Sequence, residues 1–183
     1  MQKLPPLTDF IEITPAAASV ATNRHGWRAK CLQRLVRLGL PVPQTVALPF
    51  ATVRAIAAGQ ALDCPSVLAH FGAGALISVR PSPENPDWGG PATILNIGLN
   101  AATHERLAQS HGRAAADALY LKFVQAYAVH VARLDPDMFE GLTPDSAGLR
   151  DALRAYQAEM DEPFPEDPSR QLAEVLRSMA RAW

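Results

Sequence analysis

Apolar residues recur along the chain in short blocks, and sixteen prolines mark most of the interruptions. Residues 1–15, with Pro5, Pro6 and Pro15, read as an extended lead-in. Residues 16–38 are compatible with a helix whose apolar face, near its end, is Leu32, Leu35, Val36 and Leu38. Gly39 stands where a helix-terminating glycine belongs, and Pro41 follows it. Residues 42–48 suggest a short strand that Pro43 confines to an edge or a strand start, and residues 51–59 a short alanine-rich helix. The most strand-like stretch is Ala75-Leu76-Ile77-Ser78-Val79-Arg80; a breaker-rich loop, residues 81–91, separates it from a second alternating run, residues 92–98. Together they predict a hairpin with a long tip.

From Thr103 onward the period becomes helical. Thr103 precedes an acidic first turn at Glu105. Residues 113–134 predict a long helix with Leu119, Phe123, Ala126, Tyr127 and His130 near one face, ended by Pro136. Thr143-Pro144-Asp145 reads as a cap followed by proline at the first helical position, opening a helix to about Met160. Residues 161–168 carry three prolines and suit a rigid exposed linker, before a last helix over residues 169–183 with Leu172, Val175, Leu176 and Met179. The expectation is an α+β chain: a mixed α/β part over residues 1–102 with a small mixed or antiparallel sheet, then an all-helical part over 103–183.

With 183 residues, 48% of them hydrophobic, the chain has material for a core without disulfide or metal. A formal charge of −1 argues against a general nucleic-acid coat or a polybasic membrane patch. No apolar run approaches the ~18 residues of a membrane span, and MQKLPPLTDF lacks the apolar segment of a secretory signal. Cys31 and Cys64 have the spacing of neither a disulfide framework nor a zinc site, and suit thiols in a reducing cytoplasm. A cytoplasmic protein is therefore expected.

Fourteen of the seventeen cations are arginine, the planar fork suited to phosphate and carboxylate. Arg80, at a strand end, would project its guanidinium over the sheet edge, where an anion can be gripped by paired hydrogen bonds. Gly89 and Gly90, in the loop that follows, would let backbone N–H groups approach a phosphate. The alternative is a surface Arg80 paired with Glu84 or Asp87. A second cluster, Arg24-His25-Gly26-Trp27-Arg28-Ala29-Lys30, sets cations near a helix start, where the macrodipole disfavours them unless an anion joins. A solvated basic turn is the equal alternative here. The five histidines show no metal spacing, His130 reads as a hydrogen-bonded core residue, and no serine lies in a GxSxG setting. No metal site is expected.

The ordered segments Arg34-Leu35-Val36-Arg37-Leu38-Gly39-Leu40-Pro41-Val42-Pro43, Leu76-Ile77-Ser78-Val79-Arg80 and Thr93-Ile94-Leu95-Asn96-Ile97-Gly98-Leu99-Asn100 resemble the N-terminal nucleotide-binding domain of the pyruvate phosphate dikinase and PEP synthase family. That family reads LGLPVP, LVSVRSGA and DTVLNLGLN in this order. The segments Tyr120-Leu121-Lys122-Phe123-Val124-Gln125 and Phe164-Pro165-Glu166-Asp167-Pro168-Ser169-Arg170-Gln171-Leu172 resemble its helical insert, so the resemblance covers about residues 20–183.

The resemblance implies an ATP-grasp-like first subdomain that binds ATP, with a helical portion after it, in a phosphotransferase acting on a histidine of a separate domain. By position, Arg80 matches the phosphate-contacting arginine, Gly89 a glycine of the loop covering the phosphates, and Arg28 the lysine of GGKGANL. Gly90 and Lys30 complete the set as loop glycine and auxiliary cation. The chain departs from the family at Trp27, in place of glycine, at Arg28, in place of lysine, and at Ala92, in place of aspartate. Segments matching the magnesium-binding half, the phosphohistidine domain and the pyruvate domain do not occur in the sequence. The implied activity is therefore ATP or polyphosphate binding, without catalysis in isolation. Magnesium enters only if a second polypeptide, carrying the remaining domains, or a second copy brings the carboxylates. That reading expects an apolar face on the mixed α/β half for the partner to cover. A degenerate, non-catalytic regulatory or interaction module from the same family is the alternative.

Overall fold

The computed structural model describes residues 5–183. Twelve elements follow one another: β1 (Ile11–Glu12), α1 (Thr22–Arg37), β2 (Val46–Ala47), α2 (Phe50–Ala57), α3 (Cys64–Ala69), β3 (Ile77–Val79), β4 (Ile94–Ile97), α4 (Ala101–His111), α5 (Arg113–His130), a 3-10 turn (Pro136–Phe139), α6 (Ser146–Met160) and α7 (Pro168–Arg181). The class is α+β, helix-rich, with two small antiparallel sheets, β1–β2 and β3–β4.

The chain separates into two compact units that interleave in sequence. The first takes in Met1–Phe71 (described from residue 5), Arg80–Ala92 and Leu176–Trp183; the second takes in Gly72–Val79 and Thr93–Val175. A single cut after residue 102 therefore does not divide it. The reason is that β4, paired with β3, packs on α5, so both strands belong with the helices while the loop joining them does not.

In the first unit, β1 pairs with β2 through Ile11↔Ala47 and Glu12↔Val46, and α1 packs its Ala29 beside Ile13, Val20 and Ala47, with Leu32 and Val36 alongside. Gln33 is buried and pins the preceding segment: its Oε1 accepts from the Val20 N–H at 2.9 Å, and its Nε2 donates to the Ala18 carbonyl at 2.9 Å. Of the expected lead-in, residues 1–4 lie outside the described residues; the rest docks, and Leu7 exchanges backbone bonds with Ala61 and Asp63. Helix α1 begins at Thr22, six residues later than the sequence suggests, and ends as expected. Gly39, at φ +74°, donates to the Val36 carbonyl while Leu40 donates to that of Leu35, a Schellman closure. The sequence reading did not anticipate α3, whose Asp63 caps the Ser66 N–H at 3.2 Å.

In the second unit, the β3–β4 hairpin forms as expected, but its register shifts between Ile77↔Ile97 and Val79↔Ile94. The extra residue on β4 sits at Asn96, whose φ is +63°. The bulge lets Ile94 and Ile97, three positions apart, both turn inward and become fully buried. Strict alternation would have exposed one of them. Asn100, not Thr103, caps α4: its Oδ1 accepts from the Thr103 N–H at 3.0 Å while the Thr103 hydroxyl accepts from the Asn100 N–H at 2.7 Å. Likewise Asp145, not Thr143, caps α6 through the Ala147 and Gly148 N–H groups.

Helix α5 is central, and its buried face is rotated from the expected one toward Tyr120 and Val124. Ala116, Tyr120, Phe123, Val124, Tyr127 and Ala128 are buried, while Leu119 and His130 are exposed. His130 is the last residue of α5, where an imidazole suits the negative end of the helix better than a core would. The proline-rich segment 161–168 is not an exposed linker. Phe164 and Pro165 are buried, and the Phe164 ring sits 5.2–6.1 Å from those of Tyr120, Phe123, Tyr127 and Tyr156. Gln171, fully buried, accepts from the Gly98 N–H at 2.8 Å and donates to the carbonyls of Leu99 (2.9 Å) and Pro165 (2.6 Å), joining hairpin, loop and helix. Among the described residues no helix is long and apolar enough to cross a membrane.

Candidate anion-binding site

Helix α1 is two helical pieces joined at Gly26, whose φ of +84° and ψ of 169° are open to glycine alone. A β-carbon there would stand 1.6 Å from the Ser82 carbonyl oxygen, so glycine is also what lets the two backbones meet. At the restart of the helix the loop after β3 supplies the acceptors. The Trp27 N–H donates to the Pro83 carbonyl at 2.7 Å, the Ala29 N–H to the Ser82 hydroxyl at 3.0 Å, and Arg28 Nε to the Pro81 carbonyl at 3.0 Å. Residues 81–83 thus lie across the second start of α1 and cap it from a distance in sequence.

This docking sets the Arg28 side chain against the backbone that follows Arg80. Arg28 is bonded to the residue directly after Arg80, and both side chains are exposed. Among the described residues the Arg28 terminal guanidinium nitrogens bond no protein acceptor, and Arg80 makes no hydrogen bond or ion pair. The pairing of Arg80 with Glu84 or Asp87 does not occur. Lys30 turns elsewhere, its Nζ donating to the Ser19 hydroxyl at 3.3 Å. Gly89 is open on the side a β-carbon would occupy, whereas Gly90 lies under the Trp88 ring, 2.0 Å from where its β-carbon would be. Trp88 in turn meets Trp183 at 5.0 Å, and Trp183 meets Phe50 at 5.2 Å, so aromatic contacts anchor the loop tip.

The electrostatic conflict of cations at a helix start has a partial resolution here. The free N–H groups that would draw an anion to Trp27 and Ala29 are already satisfied by Pro83 and Ser82. An anion reaching this place meets guanidinium forks rather than a bare helix terminus. His25, adjoining the kink, is buried and accepts from the Ala21 N–H at 3.4 Å. Burial holds its imidazole below the usual histidine value, and the Arg24 cation adds to that. Ser82 and Trp183 carry much of this geometry, and neither stood out in the sequence: a serine between prolines and a terminal tryptophan announce no partner.

The second unit brings a serine, a histidine and an aspartate together, in an order that rules out nucleophilic activation. Asp117 is buried between His104, whose Nε2 lies 2.7 Å from Oδ1, and Ser146, whose hydroxyl donates to Oδ2. The carboxylate separates hydroxyl from imidazole, so the trio is a structural bridge from α4 through α5 to α6. The acidic loop is equally spent within the fold: Glu162 pairs with Arg170, Glu166 accepts from the Ala101 N–H at 2.8 Å, and Asp167 caps α7. Among the described residues no three His, Cys, Asp or Glu side chains gather as a metal site would require. Compared with known proteins, the chain matches no family model and no curated protein.

Proposed function

We propose that the chain binds ATP or a related polyphosphate anion through Arg28 and Arg80, as the nucleotide-binding part of a phosphotransferase of the pyruvate phosphate dikinase kind. The observation that supports this reading is the Arg28 Nε bond to the Pro81 carbonyl, which fastens one cation to the loop residue next in sequence to the other. Each guanidinium offers coplanar donors to phosphate oxygens, and charge-assisted bonds of this type contribute roughly 1.5–3 kcal/mol each. Gly89, open to solvent, leaves room for a phosphate beside the loop backbone. Lys30 adds positive field rather than a direct contact. Magnesium, when present, neutralises charge on the phosphates; in this reading its carboxylates come from a second polypeptide carrying the rest of the phosphotransferase.

A second reading has its own support. The Trp27 and Ala29 donors are occupied, and Trp88 covers Gly90, as suits a non-catalytic module that no longer closes its loop on a nucleotide.

Calorimetric titration with ATP, with and without magnesium, tests the first reading on the native chain and on Arg28→Ala and Arg80→Ala. Saturable binding weakened about tenfold or more in each variant is expected, the loss of about one charge-assisted contact. Absence of heat at millimolar ATP from a chain with native circular dichroism would overturn it and leave the non-catalytic module.

A further inference from the structure

The outer face of α1 carries an apolar strip. Trp27, Cys31, Leu35 and Leu38 follow at spacings of four, four and three, which places them on one side of the helix, opposite the buried Ala29 and Gln33. Leu38 is 75% exposed, Trp27 40% and Leu35 38%; the Schellman closure sets Leu40, 50% exposed, at the same end. Four large apolar residues in one exposed row differ from the singly scattered ones normal to a surface.

The charge around the strip says what covers it. Helix α1 holds five cations, Arg24, Arg28, Lys30, Arg34 and Arg37, and no acidic residue, in a chain whose overall charge is −1. Lys30, Arg34 and Arg37 flank one side of the strip, and Arg34 stands 5.7 Å over the Trp27 ring. We infer that this face docks an acidic amphipathic helix of a partner protein, its apolar residues laid along Trp27, Leu35 and Leu38 and its carboxylates meeting Arg34 and Arg37. A second copy of α1 is disfavoured, because packing strip on strip would bring together two helix faces that carry cations and no acidic residue. An anionic lipid surface fits less well: α1 is fixed by its buried face and by residues 81–83. This inference needs no nucleotide at Arg28 or Arg80.

Binding of a dye-labelled helical peptide, with leucine at the a and d positions of each heptad and glutamate elsewhere, tests it by fluorescence anisotropy on the full chain. The comparison probes are the same peptide with lysine for glutamate, and vesicles of phosphatidylcholine and phosphatidylserine. Saturable binding of the acidic peptide, weakened about tenfold or more by Leu38→Glu and by Arg34→Glu and reduced by added salt, is the expected result. Both substituted residues are exposed, so unchanged circular dichroism accompanies the loss. No saturable binding of the acidic peptide, or equal binding of the lysine peptide, would overturn the inference. So would vesicle binding that Leu38→Glu abolishes, which assigns the strip to membranes, or dimerisation in sedimentation that Leu38→Glu abolishes, which assigns it to a second copy.

Discussion

The Ala29 N–H donates to the Ser82 hydroxyl at 3.0 Å, a side-chain cap supplied from 53 residues away to a helix that restarts in mid-course. It acts beside the Trp27 N–H bond to Pro83 and the Arg28 bond to Pro81, and together the three hold residues 81–83 across the kink at Gly26. Ser82→Ala removes the cap and is expected to cost about 1 kcal/mol, with a fall in Tm of a few degrees. Gly26→Ala is expected to cost ~3 kcal/mol or more, because its β-carbon meets the Ser82 carbonyl at 1.6 Å and φ is +84°. Thermal denaturation of both variants checks the order; a Gly26→Ala protein as stable as the native one would show that residues 81–83 do not press on α1.

Gln171 satisfies three backbone groups at once in a fully buried place. Gln171→Leu preserves bulk but leaves the Gly98 N–H and the Leu99 and Pro165 carbonyls without this partner, at a cost of roughly 2–4 kcal/mol. Urea denaturation measures it, and a cost under about 0.5 kcal/mol, the range of an ordinary surface change, would contradict this role.

Phe164 stands among four aromatic rings although it lies in a segment with three prolines. Phe164→Ala is expected to lose about 3–5 kcal/mol, as for other buried large-to-small changes. Leu119→Ala, on the exposed side of α5, should change stability by less than about 0.5 kcal/mol. Comparable losses in the two variants would place the core of the second unit on the wrong face of α5.

The pH dependence of stability has an acid and an alkaline arm. Burial holds the His25 pKa below its unfolded value, so the neutral ring favours the folded state. That contribution is present above pH 6.5 and is lost as pH falls through the lowered folded value. His25→Gln should flatten the fall in Tm between neutral and mildly acid pH. On the other arm, burial pushes the Tyr156 phenol up to about 12, with the Glu174 and Glu162 carboxylates adding to it. A raised pKa gives stability that is complete below the unfolded value of 10.0 and disappears as pH rises toward 12. Tyr156→Phe should reduce that alkaline loss, read from Tm against pH.

Much of this fold was legible in local pattern. The 3.6-residue period marks the long helices, Gly39 and Pro41 mark the end of α1, and two apolar runs flanking a proline-glycine loop mark the β3–β4 hairpin, because each signal acts within a few residues. The inward pairing of Ile94 with Ile97 was not legible, since it depends on a bulge that only cross-strand register creates. Nor was the burial of Phe164, since a proline-rich acidic segment has the composition of a linker until aromatic rings from α5 and α6 surround one of its residues. Arg28, Lys30, Arg80, Gly89 and Gly90 were named from the chain alone, by residue type and by resemblance. Tertiary structure alone joined Arg28 to the loop beginning at Arg80, sent Lys30 to Ser19 and laid Trp88 over Gly90. Sequence determines which chemical groups are available and the local conformations they prefer. Which of them meet is decided by backbone groups far apart in sequence that must satisfy one another's hydrogen bonds once water is excluded.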